Sequence, residues 1–383
     1  MKLLHLADLH IGRRIGEFNL LEDQRYILNE ILRITDEEKP SGILMAGDIY
    51  DKSLPPAEAV ELLDDFLTEL VSRKLPVFMI SGNHDSPERL NFGSRIMGKN
   101  GLHIAGTYHG ELHGEAMEDE YGKVNIYLLP YVKPALVRPY FDTPIETCDD
   151  AVRAALGKAV MNPNERNILI AHQFVTSGLQ EPERSDSESL AIGGLDNVDT
   201  SAFDGFDYVA LGHLHGPQRI GRDSIRYAGS PLKYSFSESR QHKSVTLLEL
   251  GEKGQVDTRL IPLVPLRDMR EVKGPIAALL RAGAEEQPIS QDYIHATLTD
   301  EEEIYDAIGK LRQVYPNLMK LDMENSRSVQ KEDSKTAASG DVARKKPMEL
   351  FSEFYSNQNN TELSDGQRAL MEEIFTQAGG DAT

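Results

Sequence analysis

The chain has 383 residues, with 62 Asp and Glu against 41 Lys and Arg, a formal charge of −21. That balance excludes a protein that grips DNA or an anionic membrane by bulk charge alone, because both are held through Lys and Arg. With 40% hydrophobic residues the chain can build a large core, and with Cys148 as its one cysteine it can form no internal disulfide or cysteine-rich zinc site. The opening MKLLHLADLH places His5, Asp8 and His10 where a secretion signal needs an unbroken apolar run. No apolar stretch is long enough to span a bilayer. The expectation is a cytoplasmic protein of two or three domains with no membrane partner.

Short apolar runs bounded by turn residues occur at 3–7 (LLHLA), 42–46 (GILMA), 76–80 (PVFMI), 167–171 (NILIA) and 207–211 (DYVAL), each suited to a buried strand. Helical periodicity lies between them at 20–35 and 57–71, with Pro55 and Pro56 at the start of the second helix. Alternating strands and helices predict an α/β fold. From about residue 225 the texture turns to β-strands, with SIRYAGS, KSVTLLEL and VDTRLIPL. A further unit over 266–325 carries a helix pattern at 275–282, a strand at 293–298 and a helix at 301–314. Residues 326–346 are polar and read as a flexible linker. Beyond them Met348, Leu350, Phe351, Phe354 and Tyr355 recur at helical spacing. Ser364 and Gln367 then form a capping box ahead of Leu370, Met371, Ile374 and Phe375.

Every one of the apolar runs ends in polar side chains able to bind metal. Asp8 and His10 follow the first, Asp48 the second, Asn83, His84 and Asp85 the third, His172 the fourth, and His213 and His215 the fifth. The ends of strands are where α/β sheets place their sites. Alternation along a strand puts Asp8 with His10, and His213 with His215, on shared faces. Gly47, Gly82 and Gly212 allow tight turning beside them. Asp8, His10, Asp48, Asn83, His172, His213 and His215 make an all-nitrogen-and-oxygen donor set suited to manganese, iron, magnesium or zinc. Seven ligands are too many for one open catalytic ion and suit two ions bridged by a carboxylate. His5, His103, His109, His113, His242 and His295 read as hydrogen-bonded structural residues.

Asp8-x-His10, Gly47-Asp48, Gly82-Asn83-His84-Asp85, His172 and Gly212-His213-x-His215, in that order, resemble the motifs of the calcineurin-like metallophosphoesterases. HLADLHIG, AGDIYDKSLPP, SGNHDSPERL and LGHLHGPQ narrow the resemblance to the nuclease subunits of SbcC–SbcD complexes, the bacterial branch of the double-strand-break repair nucleases. It covers 1–265 most strongly and the remainder by layout. The resemblance implies a sandwich of two β-sheets flanked by helices over 1–265, with a small α/β capping domain for DNA over 266–325. It also implies a linker over 326–346 and a C-terminal helical module over 347–383. One ion would be held by Asp8, His10, Asp48 and His215, and the other by Asp48, Asn83, His172 and His213. Manganese is the expected metal. His84 would face the phosphate as the catalytic residue, with Asp85 and Asp51 behind these groups. The archaeal and eukaryotic relatives carry a His where this chain has Asp51, so that residue's part in choosing the cutting mode does not transfer.

The activity implied is ATP-dependent 3′–5′ cutting of double-stranded ends and endonuclease action on hairpins and single strands, in DNA repair, recombination and replication. The alternative is a phosphomonoesterase or cyclic-nucleotide phosphodiesterase of the same superfamily. The implied partner is a coiled-coil ATPase of the SbcC type, gripped through Leu350, Phe351, Phe354, Leu370 and Ile374. A homodimer within a heterotetramer would form through 62–71 and 90–97, with plain core packing an equal explanation of 62–71, and the protein would join the nucleoid when on DNA. Charge is uneven along the chain: 180–210 hold eight acids and one base, whereas 217–243 hold six bases and two acids. Arg219, Arg222, Arg226 and Lys233 in the second stretch are the expected contacts to the DNA backbone, with a solvated β-surface the equal alternative.

Overall fold

The computed structural model describes residues 1–188, 196–302, 304–324, 347–359 and 363–377. They divide into two compact units, Met1–Arg270 and Glu271–Thr383. The expected linker at 326–346 lies outside the described residues.

The first unit is built on two six-stranded sheets. In the first, Lys2–Leu6, Gly42–Ala46, Val77–Ile80 and Leu102–Ala105 run parallel, and Ser244–Leu250 and Val256–Pro262 extend it antiparallel beyond Lys2–Leu6. In the second, Gly122–Leu129, Arg166–His172, Tyr208–Gly212 and Arg222–Tyr227 run parallel. His113–Asp119 and Gln218–Ile220 are its antiparallel edges. The inner faces meet in one core, with Leu3, Leu44, Ala46, Phe78 and Ile80 from the first sheet against Ile126, Leu128, Ile168, Ile170 and Ala210 from the second. The alternate residues, such as Leu4, Ile43, Met45, Leu169 and Val209, face outward and are buried too. Strands covered on both faces read as continuous apolar runs, which is why the sequence displayed them so clearly.

On the outer face of the second sheet, Leu169, Ala171, Val209 and Leu211 pack with Cys148, Ala151, Val152 and Ala155 of helix Cys148–Leu156. That helix begins at a reciprocal cap, in which Thr147 accepts from Asp150 N–H while Asp150 accepts from Thr147 N–H. Helices Leu21–Glu38 and Ala57–Ser72 pack together and bury Ile27, Leu28 and Ile31 on one, Leu62, Leu63 and Phe66 on the other. Leu62, Leu63, Phe66 and Leu70 are therefore occupied as core of the chain itself.

The five strands expected from the apolar runs all form. Strands Leu102–Ala105, His113–Asp119 and Gly122–Leu129 and helix Cys148–Leu156 were not foreseen. The edge strand HGEAMED buries none of its residues fully, so it lacks the apolar signal that marks its neighbours.

The second unit contains a three-stranded sheet ordered Met269–Gly274, Tyr293–Leu298, Leu318–Met323. Helices Ile276–Glu285 and Ala307–Arg312 supply Leu279 and Leu311 to a core with Ile294, Ala296, Leu298 and Tyr315. The helix expected over 301–314 is confined to 307–312, because Asp306 takes a left-handed conformation and caps it through Gly309 N–H. The two outer strands, rich in charge, were missed. In the tail, helices Pro347–Asn359 and Asp365–Gln377 pair, with the Phe351 and Phe375 rings edge to face at 6.1 Å. Ser364 and Gln367 form the expected capping box.

One buried cation ties the strand ends of the first unit. Arg166 is 2% exposed and donates to Asp119, to the Gly122 carbonyl at 2.6 Å and to the Gly251 carbonyl at 3.0 Å. Arg166→Leu removes these bonds and leaves Asp119 with the Met1 ammonium at 3.0 Å as its remaining charged partner, an expected loss of about 1.5–3 kcal/mol. Urea unfolding measures this, and a midpoint unchanged from the parent would contradict it.

Candidate metal centre

The polar residues expected at the strand ends converge at one end of the sandwich, but not by strand alternation. The first strand stops at Leu6 and the fifth at Gly212, so Asp8, His10, His213 and His215 all lie in the loops that follow. Asp8, His10, Asp48 and His213 have positive φ angles of 53°, 44°, 48° and 104°. Side chains in this region cost on the order of 1–3 kcal/mol each and persist only where the surroundings over-determine them. Here Asp8 N–H donates to Gly47 O at 3.1 Å, and His10 N–H to Asp48 O at 2.9 Å. His213 N–H donates to the Asp8 carboxylate at 2.9 Å.

Of the three glycines, only Gly47 has the left-handed turn, with φ of 82°. Gly82 and Gly212 serve close approach instead. A Cβ at 82 would stand 2.1 Å from Asp48 Oδ1, and one at 212 would stand 1.9 Å from the Ala46 carbonyl.

The ligand atoms of Asp8, His10 and His215 lie within 4.8 Å of one another, as do those of Asp8, Asp48 and His172. His10 Nε2 is 3.2 Å from His215 Nε2. On the other side, Asn83 Oδ1 is 3.0 Å from both His172 Nε2 and His213 Nδ1. Asp48 stands between the two groups. Its Oδ2 is 3.6 Å from His10 Nε2 and 3.4 Å from His172 Nε2, while Oδ1 accepts from His84 N–H at 2.9 Å.

The imidazoles are oriented from behind. His172 Nδ1–H donates to the Ala46 carbonyl at 2.8 Å, which leaves Nε2 for a metal. His215 Nδ1–H donates to Ser187 Oγ at 2.8 Å, and that hydroxyl donates to Glu238 Oε1 at 2.6 Å. Glu238 is paired through Oε2 with buried Lys243 at 2.6 Å, and Lys243 also donates to the His215 carbonyl at 2.8 Å. Glu188 accepts from His215 N–H at 2.8 Å. Gln24 holds the His10 carbonyl at 2.7 Å. Ser187, Glu188, Glu238, Lys243 and Gln24 were not recognised from sequence. Glu188 was counted only among the acids of 180–210, and Glu238 and Lys243 only among the charges of 217–243.

Asp85 touches none of the ligand side chains by hydrogen bond. It accepts from the backbone N–H groups of Gly82, Ile49 and Tyr50, joining two of the loops. Asp51 pairs with Arg13 at 2.6 Å, and its carbonyl accepts from His84 Nδ1–H at 3.0 Å. His84 is half-buried, its ring edge-on to His10 with centroids 4.8 Å apart.

The charges of the centre are coupled. Burial pushes the Asp8 carboxyl up to about 7. Burial also opposes ionisation of Asp48, but His172 and His10 outweigh it and hold Asp48 well below the usual carboxylate range. Burial works against a charge on His172, yet Asp48 and Asp8 hold its imidazole up to about 9. Burial lowers His213 to about 3, so its ring is neutral at neutral pH.

The basic stretch after His215 is largely committed to protein partners. Arg219 pairs with Asp223, and Arg222 donates to the carbonyls of Phe203 and Phe206 at 2.9 and 2.7 Å. Lys233 pairs with Asp268 at 2.8 Å, Arg226 is half-buried, and Lys243 is buried behind His215. Closer to the ligands are two cations not foreseen. Arg13 pairs with Asp51, and the Arg184 guanidinium lies 4.3 Å over the ring of Phe174, which neighbours His213.

Buried nitrogen and oxygen donors, fixed tautomers and a shared carboxylate fit divalent cations. Comparison with known proteins agrees. Residues 1–217 match the calcineurin-like phosphoesterase family, and 265–359 match the family described as type 5 capsule protein repressor C-terminal domain. The chain belongs to the calcineurin-like phosphoesterases, and within them to the family of SbcD subunits of the SbcCD nucleases. Relatives bearing that name from Staphylococcus epidermidis and Staphylococcus saprophyticus are 35% and 33% identical, each over 98% of this chain and 98% of the relative. Among solved structures, a dimetal phosphatase from Danio rerio is 13% identical over 69% of this chain and 96% of its own, with a TM-score of 0.39. No helix among the described residues is long and apolar enough to cross a membrane.

Raised values for Asp8 and His172 mean that the protein itself holds protons among these candidate ligands. Cation affinity therefore rises as pH is raised through about 7 and towards about 9, with protons released on loading. Calorimetric titration of manganese in buffers of different ionisation enthalpy checks this. Affinity independent of pH across that range would contradict it.

Proposed function

We propose that the chain is the nuclease subunit of an SbcC–SbcD-type assembly and hydrolyses phosphodiester bonds of DNA with two manganese ions. The observation that supports this most directly is the single oxygen Asp48 Oδ2, standing within 3.6 Å of His10 Nε2 and within 3.4 Å of His172 Nε2. Asp8, His10, Asp48 and His215 would hold one ion, and Asp48, Asn83, His172 and His213 the other. Two divalent cations supply Lewis-acid charge for the phosphate and for activating water. The chain's own part is to orient and to move protons. With Nδ1–H donated to the Asp51 carbonyl, Nε2 of His84 is left for the substrate, and in the imidazolium form its proton can stabilise a phosphate oxygen or pass to the leaving 3′-oxygen. Asp85 holds the loops that carry Asp48 and Asn83.

The substrates are double-stranded DNA ends, cut 3′ to 5′ under control of ATP in the partner, and hairpins and single strands, cut internally, in repair, recombination and replication in the cytoplasm. Residues 266–325 act as the capping domain over the DNA and 347–383 as the module for the SbcC-type ATPase. Phe354, Leu370 and Ile374 leave about half of their surface exposed on the tail helices, as an unfilled partner face requires. Phe92 and Ile96, 81% and 73% exposed, give 90–97 the apolar surface of a homodimer contact. Among the cations expected to follow the DNA backbone, Arg219 is the exposed one, and Arg13 and Arg184 join it nearer the metals.

The test incubates the purified protein with end-labelled duplex and hairpin DNA in manganese, with and without the ATPase and ATP. Shortened and opened products are expected. No cutting, alongside brisk hydrolysis of a phosphomonoester, would turn the reading to the phosphomonoesterase alternative. His84→Gln should lower turnover by roughly 10²–10⁴-fold, the range for acid–base catalysis, while both metals stay bound. Metal loss in that variant would show His84 to be a ligand. Removing 347–383 should leave weak manganese-dependent cutting and abolish co-purification with the ATPase. An intact complex would move the interface elsewhere.

A further inference from the structure

We propose that His103, His113 and Glu115 form a third metal site, sharing no residue with the catalytic centre, that takes a zinc ion. Leu102–Ala105 is the edge strand of the first sheet and His113–Asp119 the edge strand of the second. No ladder of backbone hydrogen bonds joins these edges. His113 and Glu115, two apart on one strand, project from the same face and meet His103 from the other sheet.

His103 Nδ1 lies 3.0 Å from Glu115 Oε1, and His113 Nε2 lies 3.3 Å from the same oxygen. All three ligand atoms fall within 4.8 Å of one another. Donors bound tetrahedrally to one zinc at ordinary bond lengths stand roughly 3.3 Å apart, so the cluster needs little rearrangement. The His103 ring is held by stacking on Phe78, with centroids 5.1 Å apart and planes 12° from parallel, which fixes the plane in which Nδ1 meets Glu115. Two imidazoles and one carboxylate are a zinc donor set, with water left to complete the coordination. Glu115 and His113 are 33% and 50% exposed, so the ion can enter from solvent.

The site would act as a staple. It joins the sheets at the edge where the sandwich is otherwise held by side-chain packing, and it closes the connection between 103 and 113. That connection forms a wall of the open groove lined by Phe92, Ile96, Met97 and Leu112. Zinc binding would order this wall, by the general gain from binding only the folded state.

The test uses the full-length chain and three variants, His113→Gln, Glu115→Gln and His103→Ala, dialysed against zinc in the presence of saturating manganese. Element analysis should find one zinc equivalent in the parent that each variant lacks. Zinc should raise the melting temperature of the parent by a few degrees and leave the variants unmoved. Cobalt in place of zinc should give visible absorption in the parent alone. The exposed His113→Gln keeps its packing, so loss of zinc there cannot be put down to misfolding. Equal zinc in parent and variants, or no zinc beyond the catalytic pair, overturns the proposal. Manganese-dependent cutting should survive His113→Gln, which separates failure here from failure of the nuclease reading.

Discussion

Two strands from different sheets approach at Gly212 and Ala46 with no room for a methyl group between them. The same Ala46 carbonyl accepts the Nδ1 proton of His172, and Gly47 beside it tolerates no side chain because His172 Nδ1 lies 2.5 Å from where one would begin. Everything at the centre depends on this contact. It brings loops from the first sheet, bearing Asp8, His10, Asp48 and Asn83, against His172, His213 and His215 from the second. A side chain at Gly47 or Gly212 would force the sheets apart and divide the donors into two incomplete groups, and one at Gly82 would displace Asp48 among the first sheet's own loops.

The conformations at the centre are held by the fold. Four donors carry left-handed backbone angles, at a total cost that is large beside the 5–15 kcal/mol typical of net stability. Backbone bonds between the loops, and three amide donors converging on Asp85, sustain them. The donors are therefore preorganised, and the ions need not assemble them. The formal charge of −21 takes on a local meaning here. Most of the basic stretch after His215 is consumed in neutralising the protein's own carboxylates and capping its own carbonyls, so it leaves little free positive charge beside the centre.

The residues that converge here were legible in the sequence because side chains able to bind metal are chemically distinctive and followed conspicuous apolar runs. Asp8, His10, Asp48, Asn83, His172, His213 and His215 could be picked out by type and place. The reason given for their convergence needed correction, since the strands end before the donors begin. Residues that act through a second residue left no such trace. Glu238 and Lys243 look like surface charges until the fold buries them together behind His215. Arg166 likewise sits at the start of an apolar run and gives no hint that it closes three strand ends. The strand HGEAMED was invisible because an edge strand facing solvent carries no apolar periodicity.

His172 rides on the second sheet while its proton is held by a carbonyl of the first. Its ring is thus a gauge of how the two sheets are seated. A slip of a few tenths of an ångström between them would lengthen that bond, free the ring to turn and shift the balance of charge on Asp48.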